Sequence, residues 1–365
     1  MKVLSVVGAR PQFVKLAPVA AELALRGIDH VIVHTGQHYD PSLSEVFFDE
    51  LGIAAPDRYL AIGSGSHGAQ TAAMLAALET AFIEEMPDWV LTYGDTNSTV
   101  AGALAAVKLH LHMAHLEAGL RSFNRRMPEE HNRVLTDHAA DLCLAPTEVA
   151  MRQLAHEGLV DRSVLVGDVM TDVLLRTRDA VIGRRPVLPA EVGSRYRVAT
   201  IHRAENTDDP RRLAEIVAAL QGLDVPTILF AHPRLRARAQ QHDLELSGGS
   251  VVVADPVGYP DLVNIVTGSI GVITDSGGLQ KEAFLLRVPC TTIRTETEWI
   301  ETVELGWNHL VPEPGSGRLA AALARSAPPP TDAAPYGIGD AARRVAQALV
   351  DRHPDVATST TDHPH

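Results

Sequence analysis

Short, largely apolar runs alternate with amphipathic stretches along almost the whole chain. Val3–Val7, Val31–His34, Trp89–Thr92, His112–Leu116 and Leu142–Leu144 have the character of strands buried on both faces of a sheet. Between them, Phe13–Arg26, Gln70–Glu85, Asn97–Leu109 and Glu129–Ala139 repeat apolar residues at helical spacing, which suits helices covering that sheet. Strand, helix, strand in this rhythm predicts a parallel, doubly wound sheet.

The rhythm breaks once, at Gly183–Ser194, where GRRPVLPAEVGS concentrates prolines and glycines. It resumes at Val198–Ile201 and continues through Thr227–Phe230, Val251–Ala254, Gly271–Thr274 and Thr291–Ile293. The division this predicts is an N-terminal Rossmann-like domain over 1–182, a linker over 183–196 and a C-terminal Rossmann-like domain over 197–352. The remainder, 353–365, ends in DVATSTTDHPH, has no periodicity and reads as disordered. The fold class expected is therefore α/β: two Rossmann-like doubly wound domains with an interdomain cleft. Ligands of such sheets bind beyond the carboxyl ends of the strands, so functional residues are expected just after strands.

At 365 residues the chain exceeds the size at which a single core keeps growing, in accord with two domains. A net charge of −13 without any long Lys/Arg run leaves no electrostatic footprint for nucleic acid, so an anionic ligand must be bound locally. The opening apolar run is too short for a signal peptide core or a membrane span. The two cysteines, Cys143 and Cys290, sit among apolar residues with no metal-ligand spacing. These features predict a cytoplasmic protein with no membrane or nucleic-acid partner.

Candidate chemistry follows the strands. Gly8-Ala9-Arg10-Pro11-Gln12 leads into a helix carrying Lys15, and backbone N–H groups at a helix start attract phosphate, with Arg10 and Lys15 adding charge. Only four of the 32 basic residues are Lys, so a Lys here is not the default cation of the chain. Asp95 lies in Tyr93-Gly94-Asp95-Thr96-Asn97-Ser98, where a helix N-cap is the structural alternative. Glu117 follows an apolar strand and precedes Ala118-Gly119. Glu129 and Glu130 open a further helix, Met127-Pro128-Glu129-Glu130-His131-Asn132-Arg133, where the dipole alone favours acids. Carboxylates at successive strand ends converge in a doubly wound fold, where crowding and burial tune them for proton transfer. His110, His112 and His115 alternate along a strand edge without zinc-site spacing, so no metal is expected. In the second half His202 and His232 follow strands in equivalent positions and form a candidate ligand wall. Thr274-Asp275-Ser276-Gly277-Gly278-Leu279-Gln280-Lys281-Glu282 then runs from a strand into a helix start suited to a diphosphate, with Glu282 placed to accept from ribose hydroxyls.

Taken in order, VGARPQ, YGDTNST, HLEAGLRS, MPEEHNR, HRAEN and DSGGLQKEA resemble the non-hydrolysing UDP-N-acetylglucosamine 2-epimerase family from Val7 to about Val311. The resemblance implies the two-domain architecture of GT-B glycosyltransferases, a UDP-sugar substrate, no cofactor and a homodimer. It implies that Ser276, Gly277, Gly278 and Arg10 hold diphosphate and Glu282 ribose, with Arg133 and His232 as further substrate-binding positions. Catalytic positions match as Asp95, Glu117, Glu129 and His202, with Lys15 and Arg10 near the leaving group. The reaction implied is elimination of UDP to a 2-acetamidoglucal and re-addition with C2 inverted. Asp95 is the first choice for base on one face, Glu117 or Glu129 for the other, and His202 for assisting departure of UDP.

The chain departs from that pattern in two places. After Gly36-Gln37-His38 it reads Tyr39-Asp40-Pro41-Ser42, where many bacterial members carry a Gln-rich stretch serving a second, activating substrate molecule. SFNRRMPEE and Thr297-Glu298-Trp299 resemble a branch acting on UDP-2,3-diacetamido-glucuronic acid, although Thr295 stands where that branch often has Asp. UDP-GlcNAc is the favoured substrate, with the diacetamido uronate and a hydrolysing epimerase as alternatives. A GT-B glycosyltransferase would share the fold but needs an acceptor groove, and a non-catalytic sensor would have no use for Asp95, Glu117 and Glu129.

Overall fold

A computed structural model describes residues 1–37, 53–326 and 328–353, excluding the side chain of Arg10. The chain divides into two compact units, Met1–Val173 with Ala334–His365, and Leu174–Ala333. Among the described residues no helix is long and apolar enough to cross a membrane.

The first unit is built on a seven-stranded sheet of order β3-β2-β1-β4-β5-β6-β7, parallel throughout. Its strands are β1 (Lys2–Val7), β2 (Asp29–His34), β3 (Arg58–Tyr59), β4 (Trp89–Tyr93), β5 (His112–Leu116), β6 (Leu142–Ala145) and β7 (Ser163–Leu165). Alternate side chains enter opposite cores, as a pleated strand requires. Val3, Val7, Leu91 and Tyr93 pack on one face with Phe13, Leu16, Val19 and Leu23 of the Arg10–Leu25 helix. Leu4, Val6 and Val90 pack on the other with Met74, Leu78 and Phe82 of the His67–Glu85 helix and the alanines of Asn97–Lys108. Each fully buried large apolar side chain contributes about 1.5–3 kcal/mol, so this two-sided burial sets the sheet's register.

The second unit repeats the plan with six parallel strands in the order β10-β9-β8-β11-β12-β13. These are β8 (Arg197–Thr200), β9 (Thr227–Phe230), β10 (Val251–Ala254), β11 (Val272–Thr274), β12 (Cys290–Thr292) and β13 (Asn308–Leu310). In both sheets the strand order reverses beside the first strand, between β1 and β4 and between β8 and β11. These are the topological switch points at which doubly wound sheets bind ligands.

Two expected boundaries need correction. The 183–196 stretch has no regular element, but Val192 is buried and Leu188 packs beside it in the second unit's core, so apolar side chains hold it there. The contact division falls instead within the Val169–Val181 helix. The expected C-terminal domain also loses its last helix, Ala341–Asp351, to the first unit. Val345, Ala346 and Leu349 pack with the Arg10–Leu25 helix, and the Asp172 carboxylate accepts from the N–H groups of Ala341 and Ala342 at 3.0 and 2.8 Å. Strands β3, β7 and β13 are two or three residues long and carry no readable period. Residues 354–365 of the expected tail, and the His38–Ser42 segment, lie outside the described residues.

Candidate active site

At the first unit's switch point, the loop after β1 and the loop after β4 are joined by Gln12. Its Oε1 accepts from the N–H groups of Gly8 and Ala9 at 2.8 and 3.0 Å, while Nε2 donates to the Tyr93 carbonyl at 2.7 Å. Lys15, in the first turns of the same helix and largely buried, meets the Glu117 carboxylate in a short ion pair. Burial alone would lower the Lys15 pKa, but the attraction of Glu117, with smaller contributions from Asp168 and Asp95, outweighs it and raises the value. Lys15 is therefore a fixed ammonium at neutral pH.

Glu117 itself is held at φ +75°, a left-handed conformation that costs an ordinary side chain about 1–2 kcal/mol. Its N–H and that of Ala118 both donate to the Leu144 carbonyl, at 3.1 and 3.2 Å, which fixes the turn. Gly94, at φ +63°, faces it: a Cβ there would lie 3.2 Å from Glu117 Oε2 and 3.5 Å from Lys15 Nζ. The glycine thus gives the ion pair its room. The helix that follows β4 is capped by Thr96, whose hydroxyl accepts from Thr99 N while Thr99 Oγ1 receives Thr96 N. Asp95 is therefore not the cap that its sequence position allowed; its carboxylate pairs with the Arg133 guanidinium, and its carbonyl accepts from Asn132 at 3.0 Å.

Arg133 also reaches Glu130 at 3.2 Å. Glu130 has a structural task, accepting from the N–H of Ser122, the hydroxyl of Ser122 and the N–H of Phe123 at 2.8–2.9 Å. Glu129 stands in the first turn of the Pro128–Ala139 helix, half-buried, and forms no ion pair among the described residues. The structure thus brings Lys15, Glu117, Asp95 and Arg133 into one chain of charge at the ends of β1, β4 and β5. The Arg10 side chain lies outside what is described.

At the second unit's switch point Asp275 is the organiser. It is 0% exposed and accepts from the N–H groups of His202 and Arg203 at 3.1 and 3.0 Å and from Asn206 Nδ2 at 3.0 Å. His202 Nδ1 lies 3.1 Å from the same carboxylate, and no described residue pairs with Nε2. Burial would raise the Asp275 pKa, but these hydrogen bonds and the His202 ring hold it below the usual carboxylate range. The His202 and His232 rings stand 6.1 Å apart, and His232 caps the Pro233–Gln241 helix through Nδ1, 3.3 Å from Arg234 N.

Ser276 is the N-cap of the Gly277–Leu285 helix, yet its hydroxyl makes no capping bond, so the first-turn amides are left for another acceptor. Trp299 Nε1 donates to the Gly277 carbonyl at 2.7 Å, and the Lys281 ammonium lies 4.5 Å above the same indole. Nothing lies within 4 Å of a Cβ placed on Gly278. Glu282 accepts from the Tyr259 hydroxyl at 3.1 Å, and burial raises its pKa.

Sequence reasoning missed Gln12, Asp275, Asp137 and Trp299 as site-building residues. Gln12 had a readable signal, a Gln at the third helical position where it reaches back to the chain entering the helix. Asp275 stood in the strand-to-helix motif without a role of its own, and Asp137, which binds His115 and the N–H of Gly119, had no local signal, because the partners of both lie far away in sequence.

The sequence profile of the UDP-N-acetylglucosamine 2-epimerase family matches residues 21–350. A UDP-N-acetylglucosamine 2-epimerase homolog of Methanococcus maripaludis is 47% identical over 85% of this chain and 88% of its own length. The UDP-2,3-diacetamido-2,3-dideoxy-D-glucuronate 2-epimerase of Pseudomonas aeruginosa is 46% identical over 96% and 99%. Among solved structures, UDP-GlcNAc 2-epimerase from Methanocaldococcus jannaschii in complex with UDP-GlcNAc and UDP superposes with a TM-score of 0.77, at 38% identity over 96% of this chain and 99% of that one. The expected α/β fold of two doubly wound sheets, akin to GT-B proteins, is the fold of these relatives. With nearly its whole length matched and both switch points carrying the expected motifs, the chain belongs to the UDP-N-acetylglucosamine 2-epimerase family and is an isomerase.

Proposed function

We propose that this isomerase inverts C2 of a UDP-linked 2-acetamido sugar without hydrolysing it, interconverting UDP-GlcNAc and UDP-ManNAc. The observation that carries the reading is the Lys15–Glu117 and Asp95–Arg133 pair of ion pairs at the first unit's switch point, two carboxylates each with a fixed cation. One carboxylate takes the C2 proton as the C1–O bond breaks and UDP leaves with the bonding electrons, giving the 2-acetamidoglucal. Return of UDP to C1, with a proton delivered to the opposite face of C2, completes the inversion. Because the C2 proton is weakly acidic, loss of the anionic UDP from C1 needs electrostatic help, which Lys15 and Arg10 supply. Gly277 and Gly278 offer first-turn amides and Ser276 its hydroxyl to the diphosphate, Glu282 meets the ribose, and His202, oriented by Asp275, assists departure. Arg133, Glu129 and His232 complete the substrate-binding and proton-transfer set.

A second reading has a specific observation behind it: the relative acting on the 2,3-diacetamido-glucuronate matches almost end to end. Proton NMR of the purified protein with each UDP-sugar in turn separates the two. An epimer equilibrium with UDP-GlcNAc supports the first, an equilibrium with the uronate alone supports the second, and free sugar in either case shows a hydrolase. Run in deuterated water, the reaction should place deuterium at C2 of the product; product carrying only protium there would exclude transfer through a solvent-exchanging carboxylate.

The glycine pair offers a cleaner test of the UDP site. Because a Cβ on Gly278 meets open space, Gly278→Ala should melt within a degree or two of the parent protein. If the first-turn amides hold diphosphate, the added methyl stands where the phosphate approaches, and UDP affinity should fall by about tenfold or more, roughly 1.4 kcal/mol. Unchanged affinity, measured by calorimetry, would move the diphosphate away from this helix.

A further inference from the structure

His115 lies in β5, two residues before Glu117, and is 0% exposed. Both of its ring nitrogens meet acceptors. Nδ1 is 2.6 Å from the Asp137 carboxylate, and Nε2 is 2.7 Å from the carbonyl oxygen of Gly94. A neutral imidazole has one N–H and one lone pair, so it can satisfy only one of them and would press a lone pair against the other. A ring turned over would set carbons against both.

The carboxylate facing Nδ1 is held as an acceptor by other groups as well. Asp137, 0% exposed, is also bound by Arg121 at 2.7 Å and by the N–H of Gly119 at 3.0 Å. Arg121, with a side chain 2% exposed, continues to Glu157 at 2.7 Å, which meets the half-exposed His138 at 3.1 Å. Burial would raise the Asp137 pKa, but the His115 ring and Arg121 hold it below the usual carboxylate range, so the group facing Nδ1 is an acceptor and the proton of that contact sits on the ring. Among the described residues, the other groups near the ring are Cys143, its register partner on β6, Arg162, which donates to the His138 carbonyl, and Glu117, Lys15 and Asp95, whose charges pair among themselves and with Arg133.

We propose that His115 is a positioning residue whose ring donates from both nitrogens and so ties the two carboxylate-bearing turns to one rigid centre. Its Nε2 proton holds the carbonyl of Gly94, the residue before Asp95. Its Nδ1 proton holds Asp137, whose second oxygen holds the N–H of Gly119, two residues after Glu117. One imidazolium–carboxylate pair therefore sets the spacing of Asp95 and Glu117, and neither residue could keep that spacing by itself. The assignment of Asp95 and Glu117 to proton transfer rests on the function proposed above; the charge state of His115 does not.

Two substitutions divide the contacts. In His115→Asn the amide nitrogen occupies the place of Nδ1 and can donate to Asp137 only; in His115→Gln it occupies the place of Nε2 and can donate to Gly94 only. Both remove the charge. Misplacement of reacting groups by about an ångström costs on the order of 10²-fold, so each variant should lose about 10- to 100-fold in kcat with KM changed by less than about threefold. Folded variants with the parent kcat would overturn the positioning role, as would a loss confined to KM. The charge state is read on the unaltered protein, so it is tested even if a variant fails to fold. In nitrogen-15 histidine NMR at pH 8, with His115 assigned by through-bond correlation to its backbone, both ring nitrogens should carry a bonded proton. One protonated and one bare nitrogen would overturn the proposal. If the unaltered protein epimerises neither UDP-sugar, the functional reading fails, and the NMR result still decides the charge of His115.

Discussion

Glu117→Gln should lower turnover by at least about two orders of magnitude while UDP binding is retained, because proton transfer by a positioned group typically contributes 10²–10⁴-fold. Gln has the size and shape of Glu and can still accept from the Lys15 ammonium, and the Glu117 side chain is only partly buried, so the fold has little reason to change. The left-handed backbone at this position is kept by hydrogen bonds of main-chain groups, which the substitution does not touch. The basic function is lost, and kcat should fall with little movement of KM for the UDP-sugar. Asp95→Asn should behave alike, since its carbonyl contact to Asn132 and its shape remain while the carboxylate paired with Arg133 disappears. The measurement is steady-state epimerisation by each variant beside UDP titration calorimetry. Near-parent kcat in both would remove the two carboxylates from the chemistry, and loss of UDP binding in both would show that they hold the nucleotide instead.

Both doubly wound sheets were legible before any coordinates, because buried parallel strands are continuous apolar runs and the helices between them keep a helical period. The loops carrying Lys15, Asp95, Glu117 and Ser276 followed from the rule that such sheets bind ligands at strand ends. What was not legible has particular causes. An amphipathic period shows that Ala341–Asp351 has an apolar face but not which core that face enters; the choice is made by Asp172, which receives its first amides from far away in sequence. The cap of the Asn97–Lys108 helix fell one residue from the position considered for it, since Asp and Thr are both good caps and only geometry chooses between Asp95 and Thr96. His115 was weighed as a metal ligand and set aside. Its partner Asp137 lies 22 residues on, a separation at which no local pattern connects two side chains.

The largest stability effect should come from Asp275→Ala. This carboxylate is sealed from water and receives two backbone N–H groups and an amide side chain, besides facing the His202 ring. Alanine removes the acceptor and leaves those donors buried and unpaired, a loss of the kind that costs about 3–5 kcal/mol. For a unit of this size, at roughly 2–4 °C per kcal/mol, the melting temperature should fall by about 10 °C. Asp275→Asn keeps one acceptor oxygen and should lose less. The same carboxylate has a pH signature. Its folded pKa is held below the usual carboxylate range, so its contribution is fully present above the unfolded value of about 3.9 and is lost as pH falls through the lower, folded value. Thermal melts of the parent protein should therefore lose stability as the pH falls below about 4 more steeply than melts of Asp275→Asn, in which this group no longer titrates. A melting temperature for Asp275→Ala within about 2 °C of the parent at pH 7 would mean that the loop from His202 to Asn206 finds other acceptors. Asp275 would then be dispensable to the start of the Gly277–Leu285 helix, and the orientation of His202 would have to come from elsewhere.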